Sequence, residues 1–315
     1  MADEPSYSGL VKDELAHLLP ELPCCQRMEL AALLRTCGRI TIGGGGRLSA
    51  TLVTNHSPVA RLIIRLVKGQ FGLKTETLVL RSRRLRKNLM YRVRIPPQPG
   101  VLEMLKTAGA VDSEGNLTDW AILKSLIQDH CRKAYLRGAF LGNGWISSPD
   151  KQHHMEMTAT SAEAADSLGQ MLFRYGIPVR MVYRKDSFVL YLKDAEHVAR
   201  FLNVVGAHQA LLRYEDVRAM KALRNDANRK ANAETANMDK TAVAAARQVA
   251  VLERLRVSGQ LERVSPSLKE LALLRIAHPE VSLKELGEMC YPPVGKSGVN
   301  HRMRLLMSLA EADQI

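Results

Sequence analysis

The run Leu136-Arg137-Gly138-Ala139-Phe140-Leu141-Gly142-Asn143-Gly144-Trp145 decides the fold. Gly138 and Gly142 lie four residues apart, so in a helix they share one face. Each glycine inside a helix costs about 1 kcal/mol relative to alanine. Tight packing against a partner backbone is a physical reason to accept that cost. The partner lies 106 residues earlier. Placing residue n beside n + 106 sets Cys25 against Cys131, Leu30 against Leu136, Gly38 against Gly144 and Ile40 against Ile146. Ala32 and Thr36, both small, take the places of the two glycines. Thr54 meets Thr160 and, after a shift of two residues, Phe71-Gly72-Leu73 meets Tyr175-Gly176-Ile177. The order of elements repeats along with the residues, which reads as a duplication.

The first copy is preceded by residues 5–20, an amphipathic helix with Ser8 ahead of Leu10, Val11, Leu15, Leu18 and Leu19, ended by Pro20. Residues 24–37 are helical, and Gly43 to Gly46 form a loop between two strands, the second being Leu48 to Thr54. Pro58 opens a helix with Gly69 and Gly72 near its end. Leu78 to Leu80 and Tyr91 to Ile95 are strands, and Pro96 to Gly100 is a break. The second copy has a helix over 122–142 and a strand from Trp145. A strand over Glu156 to Thr160 follows, and then a helix capped by Ser161. Strands over Val179 to Tyr183 and Phe188 to Leu192 come next, and Asp194 caps a last helix. The expected class is α+β: a duplicated αββαββα domain with antiparallel sheets over 1–213, its repeats at about 22–100 and 122–208. Residues 214–264 are an expected helical linker, polar around Asn225 to Asn237. Residues 265–315 are an all-α unit.

Lys and Arg number 45 against 32 Asp and Glu, a net charge of +13, which favours a polyanionic partner such as nucleic acid. No run of 18 apolar residues is long enough for a membrane span, and the polar start Met1-Ala2-Asp3-Glu4 is unlike a signal peptide. Five cysteines, odd in number and without a Cys-x-x-Cys pair, argue against a zinc site or a disulfide framework. The expectation is a reduced, cytoplasmic protein with no metal and no cofactor.

The charge is concentrated. Arg81, Arg83, Arg84, Arg86, Lys87, Arg92 and Arg94 put seven cations in 14 residues, with no acid, on one expected hairpin. A solvated basic hairpin is the plain alternative, but repulsion among seven cations favours a compensating anion such as phosphate. The second copy offers only Arg174, Arg180, Arg184 and Lys185. Near the C-terminus, Ser267-Leu268-Lys269-Glu270 and Ser282-Leu283-Lys284-Glu285 both match a capping box. A third helix starts near Ser297 with Val299, Met303 and Leu306 inward. Its outer face presents Lys296, Ser297, Asn300, His301, Arg302 and Arg304. Such a set of helices reads as a helix-turn-helix, with Ser297 and Asn300 suited to base edges and the cations to phosphate or guanine. Residues 265–315 carry six cations and six acids, but 291–307 contain no acid. A plain helical interaction bundle is the alternative there.

The paired helices resemble those of the LAGLIDADG homing endonucleases. In that family each helix ends in an acid followed by glycine, and the two acids hold catalytic metals. Here Cys37 precedes Gly38 and Asn143 precedes Gly144; Asp129 and Asp150 lie near but at the wrong positions. A thiol and an amide do not supply the charged oxygens a divalent metal needs, so no nuclease activity and no enzyme is expected. The whole order, a degenerate LAGLIDADG domain with saddle-shaped sheets, a helical linker and a helix-turn-helix, resembles the WhiA family of bacterial sporulation and cell-division regulators. Asn228-Arg229, Asn232, Glu234, Ala236-Asn237 and Lys240 look like its linker signature, and Ser297 to Arg302 like its recognition segment. The resemblance implies promoter DNA as partner and a nucleoid-associated location. The last unit is also similar to sigma-factor promoter-recognition domains, which implies RNA polymerase nearby. Actinobacterial relatives, which the Ala- and Arg-rich composition suits, imply a WhiB-type iron–sulfur co-regulator; nothing in this chain ligates such a cluster. Two other functions compete: an active endonuclease or maturase, which needs an acid at 37 or 143, and a structural or RNA-binding module. Aromatic residues at 5% offer little for stacking single-stranded bases.

Overall fold

The computed structural model describes residues 6–81, 89–112, 114–118 and 128–312, with side chains as far as Leu309. The chain divides into two compact units, Met1–Lys221 and Ala222–Ile315.

The first unit opens with α1 (Tyr7–His17) and continues through α2 (Pro23–Cys37), β1 (Gly38–Ile42), β2 (Leu48–Thr54), α3 (Ser57–Phe71), β3 (Glu76–Arg81), β4 (Leu89–Ile95) and α4 (Val101–Thr107). The second copy follows as α5 (Asp129–Asn143), β5 (Gly144–Ile146), β6 (Met155–Ala159), α6 (Ala162–Phe173), β7 (Arg180–Arg184), β8 (Ser187–Leu192) and α7 (Ala195–Val205). Both copies make a four-stranded antiparallel sheet with the same order, β1-β2-β4-β3 and β5-β6-β8-β7. Residues of period two face inward along each sheet: Ala50, Leu52, Val93 and Ile95 in the first, Met155, Met157, Leu190 and Leu192 in the second. One hydrophobic core takes in both copies, so neither half is a separate domain.

Local expectations hold with four adjustments. The cap of α1 is Ser6, whose hydroxyl accepts the Gly9 N–H at 3.2 Å; the Ser8 hydroxyl instead accepts the N–H of Ile146 in β5. The helix expected over 122–142 is described from Asp129, and residues 119–127 lie outside the described residues. Ser161 and Asp194 cap α6 and α7 as expected. The third adjustment concerns the linker: α8 (His208–Val257) runs unbroken through the Asn-rich stretch. No glycine or proline falls within it, and Asp226 pairs along its surface with Lys230 at 3.0 Å and Arg229 at 3.6 Å. Its first turns belong to the first unit, where the Glu14 carboxylate accepts the N–H groups of Gln209 and Ala210 at 2.8 Å each.

Its last turns belong to the second unit. Val251, Leu252 and Leu255 pack into one core with α9 (Pro266–Ala277), α10 (Leu283–Met289) and α11 (Lys296–Ala312). The fourth adjustment lies here. The cap position of α9 is Ser265, with Pro266 in the first turn, so Ser267 sits inside the helix. Glu270 closes no capping box; its carboxylate accepts the Tyr291 N–H at 2.9 Å. The box at Ser282 and Glu285 is complete, with bonds of 3.3 and 2.9 Å.

Candidate nucleic-acid interface

The centre of the first unit is the α2–α5 pair. A Cβ placed on Gly138 would stand 2.5 Å from the Glu29 carbonyl oxygen and 2.9 Å from the Ala32 Cβ, and one on Gly142 would overlap the Thr36 hydroxyl. The glycines are there because the helix backbones touch, and Ala32 and Thr36 are the small residues they touch. Glu29, fully buried on α2, takes both its oxygens to Arg137 of α5, at 3.1 and 3.3 Å. Burial pushes the Glu29 carboxyl up to about 7, and Arg137 works against that shift. Removing either partner would strand a charge inside the joint.

At the C-terminal ends of the pair stand Cys37 and Asn143. The Cys37 thiol donates to the Leu33 carbonyl at 3.2 Å, and the Asn143 amide donates to the Thr158 carbonyl at 3.5 Å. Sequence reasoning missed their neighbour Lys12 of α1. Its buried amine lies 5.9 Å from the centre of the Phe140 ring and within electrostatic reach of Cys37. Burial lowers Lys12 to about 8 and pushes Cys37 up to about 12. The C-terminal ends of the paired helices thus hold a thiol, an amide and an amine.

The sheets carry the outward faces. On the first, the rows Arg39–Thr51–Arg94–Glu76 and Val53–Arg92–Leu78 lie opposite the core. Arg39 and Arg92 are exposed with no ion-pair partner among the described residues, while Arg94 meets Glu76 at 3.0 Å. Arg81 is exposed at the end of β3. Arg83, Arg84, Arg86 and Lys87 lie outside the described residues. On the second sheet, the row Trp145–Glu156–Tyr191–Arg180 faces outward. His154 bonds Glu156 at 2.7 Å and lies near the rings of Trp145 and Tyr191, at 5.9 and 6.1 Å between centres. Arg184 reaches Glu156 at 3.7 Å. Lys185 forms the β7–β8 turn with Asp186, both at positive φ; this tight turn leaves its charge at the hairpin tip.

In the second unit, α11 turns Val299, Met303 and Leu306 inward. Lys296, Ser297, Asn300, His301 and Arg304 are exposed and Arg302 half-buried; none of the six makes a side-chain hydrogen bond or ion pair among the described residues. The turn before α10 is held by buried Arg275, which donates to the carbonyls of Val281 at 2.6 Å and Pro279 at 3.3 Å. Sequence reasoning missed this arginine.

It also missed a group of ligating side chains. Cys24 and Cys25, at the start of α2, meet His130 and Cys131, at the start of α5. No short-range spacing joins them. The register of 106 residues does, and it sets Cys24 beside His130 as it sets Cys25 beside Cys131.

Three family descriptions match the chain: the WhiA N-terminal LAGLIDADG-like domain over 23–110, the WhiA LAGLIDADG-like domain over 132–224 and the WhiA C-terminal HTH domain over 227–310. A relative from Symbiobacterium thermophilum, named probable cell division protein WhiA, is 59% identical and covers 99% of each chain. One of the same name from Heliobacterium modesticaldum is 43% identical over 98% of this chain and 96% of its own. The crystal structure of full-length DUF199/WhiA from Thermotoga maritima is similar in fold, with a TM-score of 0.61 at 20% identity, covering 98% of each chain. That of the N-terminal LAGLIDADG domain of DUF199/WhiA aligns with a TM-score of 0.51 at 16% identity, over 64% of this chain and 91% of its own.

Proposed function

Because the chain belongs to the WhiA family, we propose that it is a DNA-binding regulator in which α11 reads base sequence and the first sheet holds phosphates. The observation that carries this reading is the outer face of α11. Six polar or cationic side chains stand there without partners among the described residues, and no acid lies between Tyr291 and Met307. A helix face of that make-up fits the major groove, with Ser297 and Asn300 on base edges and Lys296, Arg302 and Arg304 on phosphate or guanine. Arg39, Arg92 and Arg94, with Arg81, Arg83, Arg84, Arg86 and Lys87 beyond them, supply sequence-independent affinity.

The regulator does not cut DNA. Lys12, Cys37 and Asn143 support this, since an amine, a thiol and an amide offer no charged oxygen to Mg²⁺. Its targets are promoters of cell-division and sporulation genes, in a cytoplasmic, nucleoid-associated setting; RNA polymerase, and in some bacteria an iron–sulfur co-regulator, act beside it. On the described residues, no helix is long and apolar enough to cross a membrane.

The test is selection of bound duplexes from a random library by the full chain, followed by titration of the selected and a scrambled duplex. The double change S297A/N300A should bring the selected duplex down to the scrambled one, a loss of about 10- to 1,000-fold, with the salt dependence kept. Undiminished discrimination in that variant would defeat the reading. Plasmid cleavage with Mg²⁺ or Mn²⁺ should give no nicked or linear product.

A further inference from the structure

The starts of α2 and α5 meet in a cluster that the DNA-binding reading does not use. Cys24 and Cys25 are the second and third residues of α2, and His130 and Cys131 the second and third of α5. The duplication brings the two pairs to the same end of the helix pair, the end away from Cys37 and Asn143. His130 Nδ1 stands 3.0 Å from Cys25 Sγ, 3.4 Å from Cys131 Sγ and 3.9 Å from Cys24 Sγ. All four ligating atoms lie within 4.8 Å of one another.

A tetrahedral zinc ion with bonds of about 2.3 Å to sulfur and 2.0 Å to nitrogen holds its ligand atoms about 3.5–3.8 Å apart. The cluster reaches that geometry by shifts of about 1 Å or less. Its chemistry fits the same ion: three thiols and an imidazole are soft and borderline donors, unlike the oxygens that Mg²⁺ or Ca²⁺ takes. Cys25 and Cys131 are buried against Ala134, with Met28 beside them, which gives a dry inner wall. His130 is exposed and Cys24 half-buried, which leaves an entry path. A disulfide would use two sulfurs and leave the third thiol and the imidazole without a role.

We propose that Cys24, Cys25, His130 and Cys131 hold one zinc ion, which ties the start of α2 to the start of α5. The site is a closed, structural one, since the four side chains fill its coordination. The ion joins the two copies through the starts of their paired helices.

The full chain, purified under reducing conditions without chelator or metal-affinity resin, is to be assayed for metals by mass spectrometry. About one zinc per chain is expected. Exchange for Co²⁺ should give the d–d bands of a tetrahedral site and a thiolate charge-transfer band. H130N, at an exposed position, should bind zinc at least tenfold more weakly while keeping the wild-type circular dichroism. C25S should lose the charge-transfer intensity, and C290S, which changes a cysteine of the second unit's own core, should keep it. A chelator should lower the melting temperature of the wild type and of C290S but not that of H130N. The proposal is overturned by a chain free of zinc that gains no cobalt bands. Iron or copper in place of zinc, or a disulfide among Cys24, Cys25 and Cys131 in the protein as isolated, overturns it equally.

Discussion

The two sheets of the first unit have one topology and two surfaces. The outer face of β1-β2-β4-β3 presents Arg39, Arg92 and Arg94 among Thr41, Ser49 and Thr51, with Glu76 as its one acid among the described residues. The outer face of β5-β6-β8-β7 presents Trp145, Tyr191 and His154 around Glu156, which draws in Arg184. The inward residues of both are equally apolar. Duplication fixed the period-two interior, because a single polar residue there costs stability, and left the exterior to diverge. The first face suits a polyanion. The second, with Trp145 48% exposed and its cations partly neutralised, suits a less charged partner.

The largest way to break this comparison is to separate the copies. R137M leaves fully buried Glu29 without its cation and should cost about 3–5 kcal/mol in denaturant unfolding. Both sheets should be lost in one transition, because one core serves both; two transitions would mean the copies are independent. Next is the direct contrast. R39A/R92A should lower the slope of log affinity against log salt by about 0.9 for each lost phosphate contact, whereas R180A/R184A should leave it unchanged. Equal effects in DNA titrations would erase the distinction. A smaller change sharpens it: E156Q releases Arg184 and should raise non-specific DNA affinity by up to about threefold. The smallest is E76Q. The Arg94–Glu76 pair is exposed, so thermal unfolding should move by no more than about 0.5 kcal/mol.

The sequence revealed most where one residue type answers one physical need. Gly138 and Gly142 announced a close helix crossing because nothing larger fits. Val299, Met303 and Leu306 announced the buried side of α11 through helical spacing. Ser282 and Glu285 did the same for the start of α10. Where two readings shared one pattern, tertiary context decided. Ser267 and Glu270 have the spacing of a cap, but Pro266 moves the helix start back one residue and Tyr291 takes the carboxylate. Asn225 to Asn237 is as polar as a loop, yet without glycine or proline it continues a helix. Lys12 and the Cys–His cluster were illegible locally, because their neighbours arrive from other copies or elements far along the chain. Of the basic hairpin, Arg81, Arg92 and Arg94 are seen exposed, and the four cations between them lie outside the described residues.

Lys12 also decides what a charge at position 37 would meet. With an ammonium group enclosed beside position 37, an aspartate placed there would find a resident counter-ion rather than a vacancy for a divalent one. The amine works as a lock on this end of the helix pair: it answers a negative charge at position 37 from within the fold.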